Sequence, residues 1–313
     1  MSSILVESPG LLTTVQDLGR QGLGALGISP SGAADPVSLR LGNRLLGNDE
    51  GAAALEMTLI GGAFAFPEGA IVALTGSDFG ARLDGVAVEL GTSIEIRPGQ
   101  RLRLGPTRSG ARSYLCIQGG IAVPPLLGSA STHLLSGLGG FEGRALRKGD
   151  VLQIGPATAP FRKRTIAPRV GERLSRRNVL RVTRGPQADW FDEPPLRSFF
   201  ASSFRVGEQS NRMGIRLEGL HIARSKGASM ITEGVSLGAI QVPPGGSPII
   251  LFVEQQTTGG YPKIANVISA DLHRLGQLRP RDEIRFELVT FETARALLID
   301  QEKMLASPET ILE

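Results

Sequence analysis

The densest concentration of groups able to do chemistry is the run Glu254-Gln255-Gln256-Thr257-Thr258-Gly259-Gly260-Tyr261-Pro262-Lys263-Ile264. It joins carboxylate, amide, hydroxyl and ammonium groups to a glycine pair that lets backbone N–H groups approach a ligand. Such a loop suits an anionic or amide-containing ligand, the more so if Tyr261-Pro262-Lys263 opens a helix whose N-terminus favours negative charge. A purely structural turn competes with that reading, with Gly259-Gly260 supplying positive φ and Thr257 and Thr258 bonding locally. Three further polar clusters border glycine. Gln16-Asp17-Leu18-Gly19-Arg20 packs an amide, a carboxylate and a guanidinium together, and a surface turn is the alternative. Asn211-Arg212-Met213-Gly214-Ile215-Arg216-Leu217-Glu218, read as a strand, places Arg212, Arg216 and Glu218 on one face, as an ion-pair lattice or an anion clamp. Ile231-Thr232-Glu233-Gly234 precedes the apolar stretch Ala239-Ile240-Gln241-Val242.

What the chain lacks narrows the chemistry. His133, His221 and His273 lie far apart and, with one cysteine, form no zinc spacing, so no metal site built on His and Cys is expected. There is no phosphate loop of the Gly-x-x-x-x-Gly-Lys-Ser/Thr type and no dinucleotide fingerprint after a strand. No Gly-x-Ser-x-Gly elbow occurs, and Gly245-Gly246-Ser247-Pro248 is shorter than the Gly/Ser run of amidases, which argues against self-contained serine hydrolysis. Cys116, inside the apolar run Tyr114-Leu115-Cys116-Ile117, reads as a buried inert thiol.

The elements that must position these clusters are mostly strands. In 313 residues there are 41 Gly and 20 Pro, which predicts a turn-rich, mainly β protein with a few helices and two β-rich lobes. Apolar runs at Ala70-Ile71-Val72-Ala73-Leu74, Ser93-Ile94-Glu95-Ile96, Arg101-Leu102-Arg103-Leu104, Val179-Leu180-Arg181-Val182 and Ile249-Ile250-Leu251-Phe252-Val253 read as strands at barrel or sandwich spacing. One helix is expected over 36–46, with Asp35 as N-cap, Pro36 at the first position, Val37, Leu41 and Leu45 on one stripe and Gly47 past the end. Others are expected over 262–272 and 291–299, with a frayed tail beyond Gln301. The net charge of +4 has a local origin: Arg162, Lys163, Arg164, Arg169, Arg173, Arg176 and Arg177 face only Glu172 between 161 and 177. With Pro168 and little apolar periodicity, that segment reads as a solvated linker or partner-docking strap. Phe161 alone in it could stack on a base, so no nucleic-acid role is expected. The division is then an N-terminal β lobe over 1–155, a basic linker over 156–177 and a C-terminal β lobe with terminal helices over 178–313. No apolar run approaches the roughly 20 residues of a membrane span and no signal sequence opens the chain, so a soluble cytoplasmic protein is expected.

Six ordered strings carry a resemblance. They are Ser8-Pro9-Gly10-Leu11-Leu12-Thr13-Thr14-Val15-Gln16-Asp17-Leu18-Gly19-Arg20, Asn43-Arg44-Leu45-Leu46-Gly47-Asn48 with Leu55-Glu56, Gln118-Gly119-Gly120-Ile121, Leu127-Gly128-Ser129-Ala130-Ser131-Thr132, Asn211-Arg212-Met213-Gly214, and Thr257-Thr258-Gly259-Gly260-Tyr261-Pro262-Lys263. Over residues 4–290 the chain resembles the allophanate hydrolase subunit 2 family, also called the 5-oxoprolinase C-subunit family or the biotin-dependent carboxyltransferase family. The resemblance implies a cyclophilin-like β-barrel architecture in the C-terminal lobe. It implies a smaller partner, called subunit 1 or the B-type subunit, and an A-type subunit with which 5-oxoproline is opened to glutamate at the expense of ATP with magnesium. Two alternatives travel with it: carboxyl transfer from carboxybiotin to urea or a related amide, and a non-catalytic regulator that binds a kinase-inhibiting partner. No Met-Lys-Met attachment signature occurs, so any biotin would arrive on another protein.

Under the amide-opening reading, charge developing on an amide oxygen calls for cationic and N–H donors in a dry site. Arg212 and Lys263 are the charge-stabilising candidates, and Thr257, Thr258, Gly259, Gly260 and Tyr261 line the pocket. Asn211 and Gln241 read an amide or carboxylate edge, Glu233 acts as base or magnesium ligand, and Gln16, Asp17 and Arg20 add a further polar set. Two positions depart from the family pattern. Glu254-Gln255 replaces Asp-Arg before the Gln-Thr-Thr run, removing a fixed positive charge, and Ile215 replaces an aromatic residue.

Overall fold

A computed structural model describes residues 2–157, 160–174, 178–224 and 230–313. Two compact units emerge, one comprising Met1–Arg20, Ser31–Ser175 and Leu305–Glu313, the other Gln21–Pro30 and Arg176–Met304. The expectation of a mainly β chain with two β-rich lobes holds. Among the described residues no helix is long and apolar enough to cross a membrane.

The first unit is built on two antiparallel sheets. A six-stranded sheet runs in the order Val151–Gln153, Ser3–Ser8, Ala63–Ala65, Arg101–Arg103, Arg82–Leu83, Val86–Ala87. A five-stranded sheet runs Leu12–Gln16, Ala54–Thr58, Arg112–Ile117, Ala70–Gly76, Ser93–Ile96. Their apolar faces share one core containing Ile4, Val15, Leu55, Phe64, Leu74 and Leu115. Helix α1, Pro36–Leu45, forms as its sequence requires: Asp35 accepts a hydrogen bond from the Ser38 amide at 2.9 Å, Pro36 sits in the first turn, and Gly47 past the end takes φ 70°. Leu39 and Leu45 face the five-stranded sheet beside Ala73, Tyr114 and Cys116. The approach is close enough that a Cβ at Gly42 would fall 2.5 Å from Cys116 Sγ.

The expected linker over 156–177 is structured in its described part. Thr165–Ile166 pairs with Ile311–Leu312, and a short helix α2, Pro168–Leu174, buries Val170. Arg176 and Arg177 lie outside the described residues. The tail is ordered rather than frayed: a helix continues over Phe291–Ala306, Thr310 is buried, and Ile311 packs with Ile166 against the α1 cluster. Periodicity misses this because the tail's anchor is a strand of two residues, too short to show a pattern.

The second unit contains a closed seven-stranded barrel in the order Val179–Arg184, Lys263–Val267, Ala239–Gln241, Ile249–Leu251, Gly214–Glu218, Ser203–Val206, Glu283–Leu288. Every pairing is antiparallel except that of the first strand with the last. A helix over Glu193–Ala201 seats Phe199 on Phe286, rings stacked with centroids 4.7 Å apart. The helix expected over 262–272 is a strand up to Val267, followed by a helical turn at Leu272–Leu275. Lying between two barrel strands, Lys263, Ile264, Ala265 and Val267 are all buried, and a strand buried on both faces shows no alternation to distinguish it from a short apolar helix.

Candidate functional site

The glycine loop leaves the barrel after Ile249–Leu251 and returns through Lys263–Val267. At its outgoing end Arg212 Nε contacts Glu254 Oε1 at 2.5 Å, both side chains almost wholly buried. The Glu254 amide donates to Arg212 O at 2.8 Å and the Phe252 amide to Met213 O at 2.9 Å, so side chains and backbone together pin the take-off of the loop. Arg212 does not share a face with Arg216 and Glu218 as expected. It precedes the strand Gly214–Glu218 and points inward to Glu254, whereas Arg216 and Glu218 are exposed on the strand. The charge missing at Gln255 is thus beside a buried cation that Glu254 already compensates.

At the returning end Lys263 is 4% exposed on its barrel strand. Its ammonium hydrogen-bonds Glu233 Oε1, and Gln187 Nε2 donates to the same oxygen at 2.9 Å. Gln187 also accepts from the Lys263 amide at 3.2 Å. Gly185 permits this approach, since a Cβ there would lie 2.2 Å from Lys263 O. Glu233 sits on a two-residue strand, Glu233–Gly234, that pairs with Thr258–Gly259 as a ribbon separate from the barrel sheet. Lys263, then Gln187, hold its carboxyl below the usual glutamate range, because both donors favour the ionised form.

Gln241 completes this wall. It is 2% exposed, its Oε1 accepts from Gln256 Nε2 at 3.3 Å, and its Nε2 has no hydrogen-bond partner among the described residues. A Cβ on Gly259 would fall 2.5 Å from that nitrogen, so the glycine is what lets the amide reach the loop. Thr257 and Gly260 are half-buried, Thr258 and Tyr261 exposed. Asn211 spends its side-chain oxygen on the Met213 and Gly214 amides at 2.9 and 3.3 Å, shaping the turn before the strand.

Of the residues singled out by sequence, Lys263, Glu233, Gln241 and the Thr257–Tyr261 stretch come together, while Arg212 and Asn211 support the turn beside it. The sequence does not single out Gln187. Its one signal there is a polar residue directly after Gly185-Pro186 at the end of an apolar strand.

Gln16, Asp17 and Arg20 belong to the other unit and clamp the stretch 129–132, with Gln16 Oε1 left without a hydrogen-bond partner among the described residues. Asp17 accepts from the Gly19 amide at 2.7 Å, Ser129 Oγ at 2.7 Å and the Ala130 amide at 2.6 Å, and from Ser131 Oγ. Arg20 Nη2 donates to Ser131 O at 2.6 Å, and Gln16 Nε2 to Thr14 Oγ1 and Thr132 O at 3.0 and 3.1 Å. A cavity of about 870 Å³ in the barrel unit involves none of these residues. Two of its arginines are compensated, Arg205 by Glu218 at 2.9 Å and Arg281 by Glu208 at 2.5 Å.

Among the described residues no group of three or more His, Cys, Asp and Glu converges on a metal position. Glu233, held by an ammonium and an amide, does not offer the oxygen-rich donor set that magnesium takes.

Comparison with known proteins gives this geometry its family. The carboxyltransferase domain family, subdomain A and B, matches residues 26–288. The chain is 41% identical to the C subunit of 5-oxoprolinase from Escherichia coli over 94% of both chains. It is 38% identical to the C subunit of 5-oxoprolinase from Haemophilus influenzae over 91% of this chain and 90% of that one. The crystal structure of the Kluyveromyces lactis urea amidolyase superposes with a TM-score of 0.92 at 33% identity, covering 99% of this chain and 21% of that much longer one. With a sheet unit, a barrel unit and a near full-length match to two such subunits, this chain belongs to the carboxyltransferase domain family, subdomains A and B.

Proposed function

We propose that the chain is the C-type subunit of an ATP-dependent 5-oxoprolinase, opening 5-oxoproline to glutamate together with a smaller B-type subunit and an A-type subunit. The end-to-end match to the C subunit of the Escherichia coli 5-oxoprolinase, 94% of each chain, is the observation that carries this reading. The overall reaction breaks the ring C–N bond, adds the oxygen of water to the carbonyl carbon, and leaves the nitrogen as the free amine of glutamate. ATP with magnesium drives it in the assembled enzyme. The donor set around Glu233 does not suit that metal, so nucleotide and magnesium are assigned to the assembly and no step is routed through them here.

The work of this chain is to hold and orient a small amide. Lys263 presents an ammonium from a nearly dry position, where an ion attracts an anion more strongly than in water. Gln241 Nε2, buried and unpaired among the described residues, donates to a ligand carbonyl or carboxylate, and the Gly259-Gly260 backbone allows the ligand to approach it. Thr257, Thr258 and Tyr261 form the solvent side of the wall. Arg212 acts through Glu254 as a positioning residue. Glu233, with its basicity reduced by Lys263 and Gln187, is poorly suited to act as general base.

The test is reconstitution. The purified chain alone should release no glutamate from 5-oxoproline, and adding the B-type and A-type subunits should give ATP-dependent release. No release with all three present overturns the reading. A second reading, carboxyl transfer from carboxybiotin to urea or a related amide, is favoured by the likeness to urea amidolyase and to the Kluyveromyces lactis urea carboxylase, the latter at TM-score 0.92. It requires turnover that depends on a biotinylated protein and stops with avidin.

A further inference from the structure

The contact between Lys263 and Glu233 is unequal. Lys263 is fixed on a barrel strand with its side chain 5% exposed, and among the described residues its ammonium has one partner. Glu233 is 45% exposed on a ribbon outside the barrel sheet. The glutamate can be solvated without the lysine. The lysine, taken out of water, requires an anion. One oxygen of Glu233 receives both Lys263 Nζ and Gln187 Nε2, so the two donors make a seat for a single carboxylate oxygen. The neighbouring Gln241 amide, buried and with its N–H₂ unpaired among the described residues, lies against Gly259, the residue that Glu233 faces across the ribbon.

We infer that Glu233 is a built-in stand-in for a ligand carboxylate: it fills the seat formed by Lys263 and Gln187, and a small carboxylate carrying an amide or lactam displaces it. The carboxylate of the ligand takes the Lys263 and Gln187 donors, and its amide oxygen takes Gln241 Nε2. The amide part of this assignment rests on the proposed function; the seat itself does not. Exchange of one carboxylate for another keeps the buried ammonium neutralised in both states, and the released Glu233 passes to water to which it is already half open. The glutamate therefore protects the empty site from a naked buried charge and weakens ligand binding by competing for it.

The full-length chain tests this by calorimetric titration with 5-oxoproline, acetate and the neutral lactam 2-pyrrolidinone. Glu233→Ala should bind acetate and 5-oxoproline about tenfold or more tightly than the unaltered chain, the worth of one charge-assisted hydrogen bond. Affinity for 2-pyrrolidinone should not change, and Lys263→Met in the Glu233→Ala background should abolish the gain. Glu233→Gln, which keeps shape and removes charge, should gain in the same direction. Carboxylate affinity equal to or below that of the unaltered chain in both Glu233 variants overturns the stand-in. A gain for acetate with none for 5-oxoproline upholds the seat and overturns its assigned ligand. Absence of ATP-dependent turnover in the reconstituted enzyme, with the carboxylate gain intact, counts against the proposed function alone.

Discussion

Asp17 and Lys263 are each the charged centre of a polar cluster threaded with glycine, and they end in opposite states. Asp17 is enclosed by four donors from nearby backbone and from the Ser129–Ser131 loop, leaving nothing for a ligand to do. Lys263 is buried on a rigid strand but neutralised by a carboxylate that lies half in water on a separate ribbon. A charge satisfied by its own surroundings holds a fold together. A charge whose partner is itself half solvated is where the ligand site is proposed. Other family strings in the sheet unit follow the first pattern: Asn48 donates to Ile117 O at 2.8 Å and accepts from the Gly119 amide at 2.9 Å, and Glu56 accepts from the Ala34 amide at 2.8 Å and Tyr114 Oη at 2.7 Å.

Breaking the two clusters in turn gives the sharpest contrast. Lys263→Met should lower kcat/KM of the reconstituted enzyme for 5-oxoproline by about 10–100-fold, mainly through KM, as loss of a charge-assisted donor to the ligand carboxylate does. Its stability in urea unfolding should change little, by under about 1 kcal/mol, because the abandoned Glu233 is already solvated. Asp17→Ala should show the reverse: about 3 kcal/mol of stability lost in urea unfolding, from several donors left without their acceptor. An Asp17 variant that unfolds normally but loses turnover would reverse the contrast.

The glycines sharpen it. Gly140 has φ 57°, and a Cβ there would lie 1.8 Å from Thr132 Oγ1, so Gly140→Ala should cost about 1–3 kcal/mol by thermal or urea unfolding. Gly259→Ala meets only the end of the Gln241 side chain and Val235 Cγ1, at 2.5 and 3.2 Å. It should raise KM for 5-oxoproline with little change in stability.

Acidification offers a gentler probe of the open cluster. The folded-state pKa of Glu233 is depressed, so its pairing with Lys263 is complete above the ordinary glutamate range and is lost as pH falls through the lowered value. Carbon-detected NMR titration of Glu233 should show this, with the midpoint returning towards the ordinary value in Lys263→Met. The smallest expected signal belongs to Cys116, whose thiol burial pushes up to about 12. A thiol reagent at about pH 8 should label it negligibly in the folded chain and fully in urea, which makes it a reporter of unfolding for Asp17→Ala.

Much of the architecture is legible in the residues alone. The α1 caps at Asp35, Pro36 and Gly47 are local devices, and local devices survive tertiary context. The inert Cys116 follows from an apolar run that has to be buried. Lys263–Val267 misleads because a strand buried on both faces and a short buried helix present the same uninterrupted apolar run. Arg212 misleads because strand alternation does not reach back before Gly214, where the strand begins. Half of the site is also legible: the loop, Lys263, Glu233 and Gln241 stand in or beside glycine-bearing stretches of the sequence. Gln187 is not, because nothing local marks a glutamine after Gly-Pro as a partner of a residue 46 positions away.

Composition and local pattern specify a mainly β chain, one capped helix, a single unreactive thiol and a small set of polar clusters beside glycine. Contacts between distant segments settle which cluster has an enclosed charge and which has a half-solvated partner. That depends on how many donors reach a charge and how much water its partner sees, and both are set by contacts across the chain: Glu233 meets Lys263 over 30 positions, and Asp17 meets Ser129 over 112.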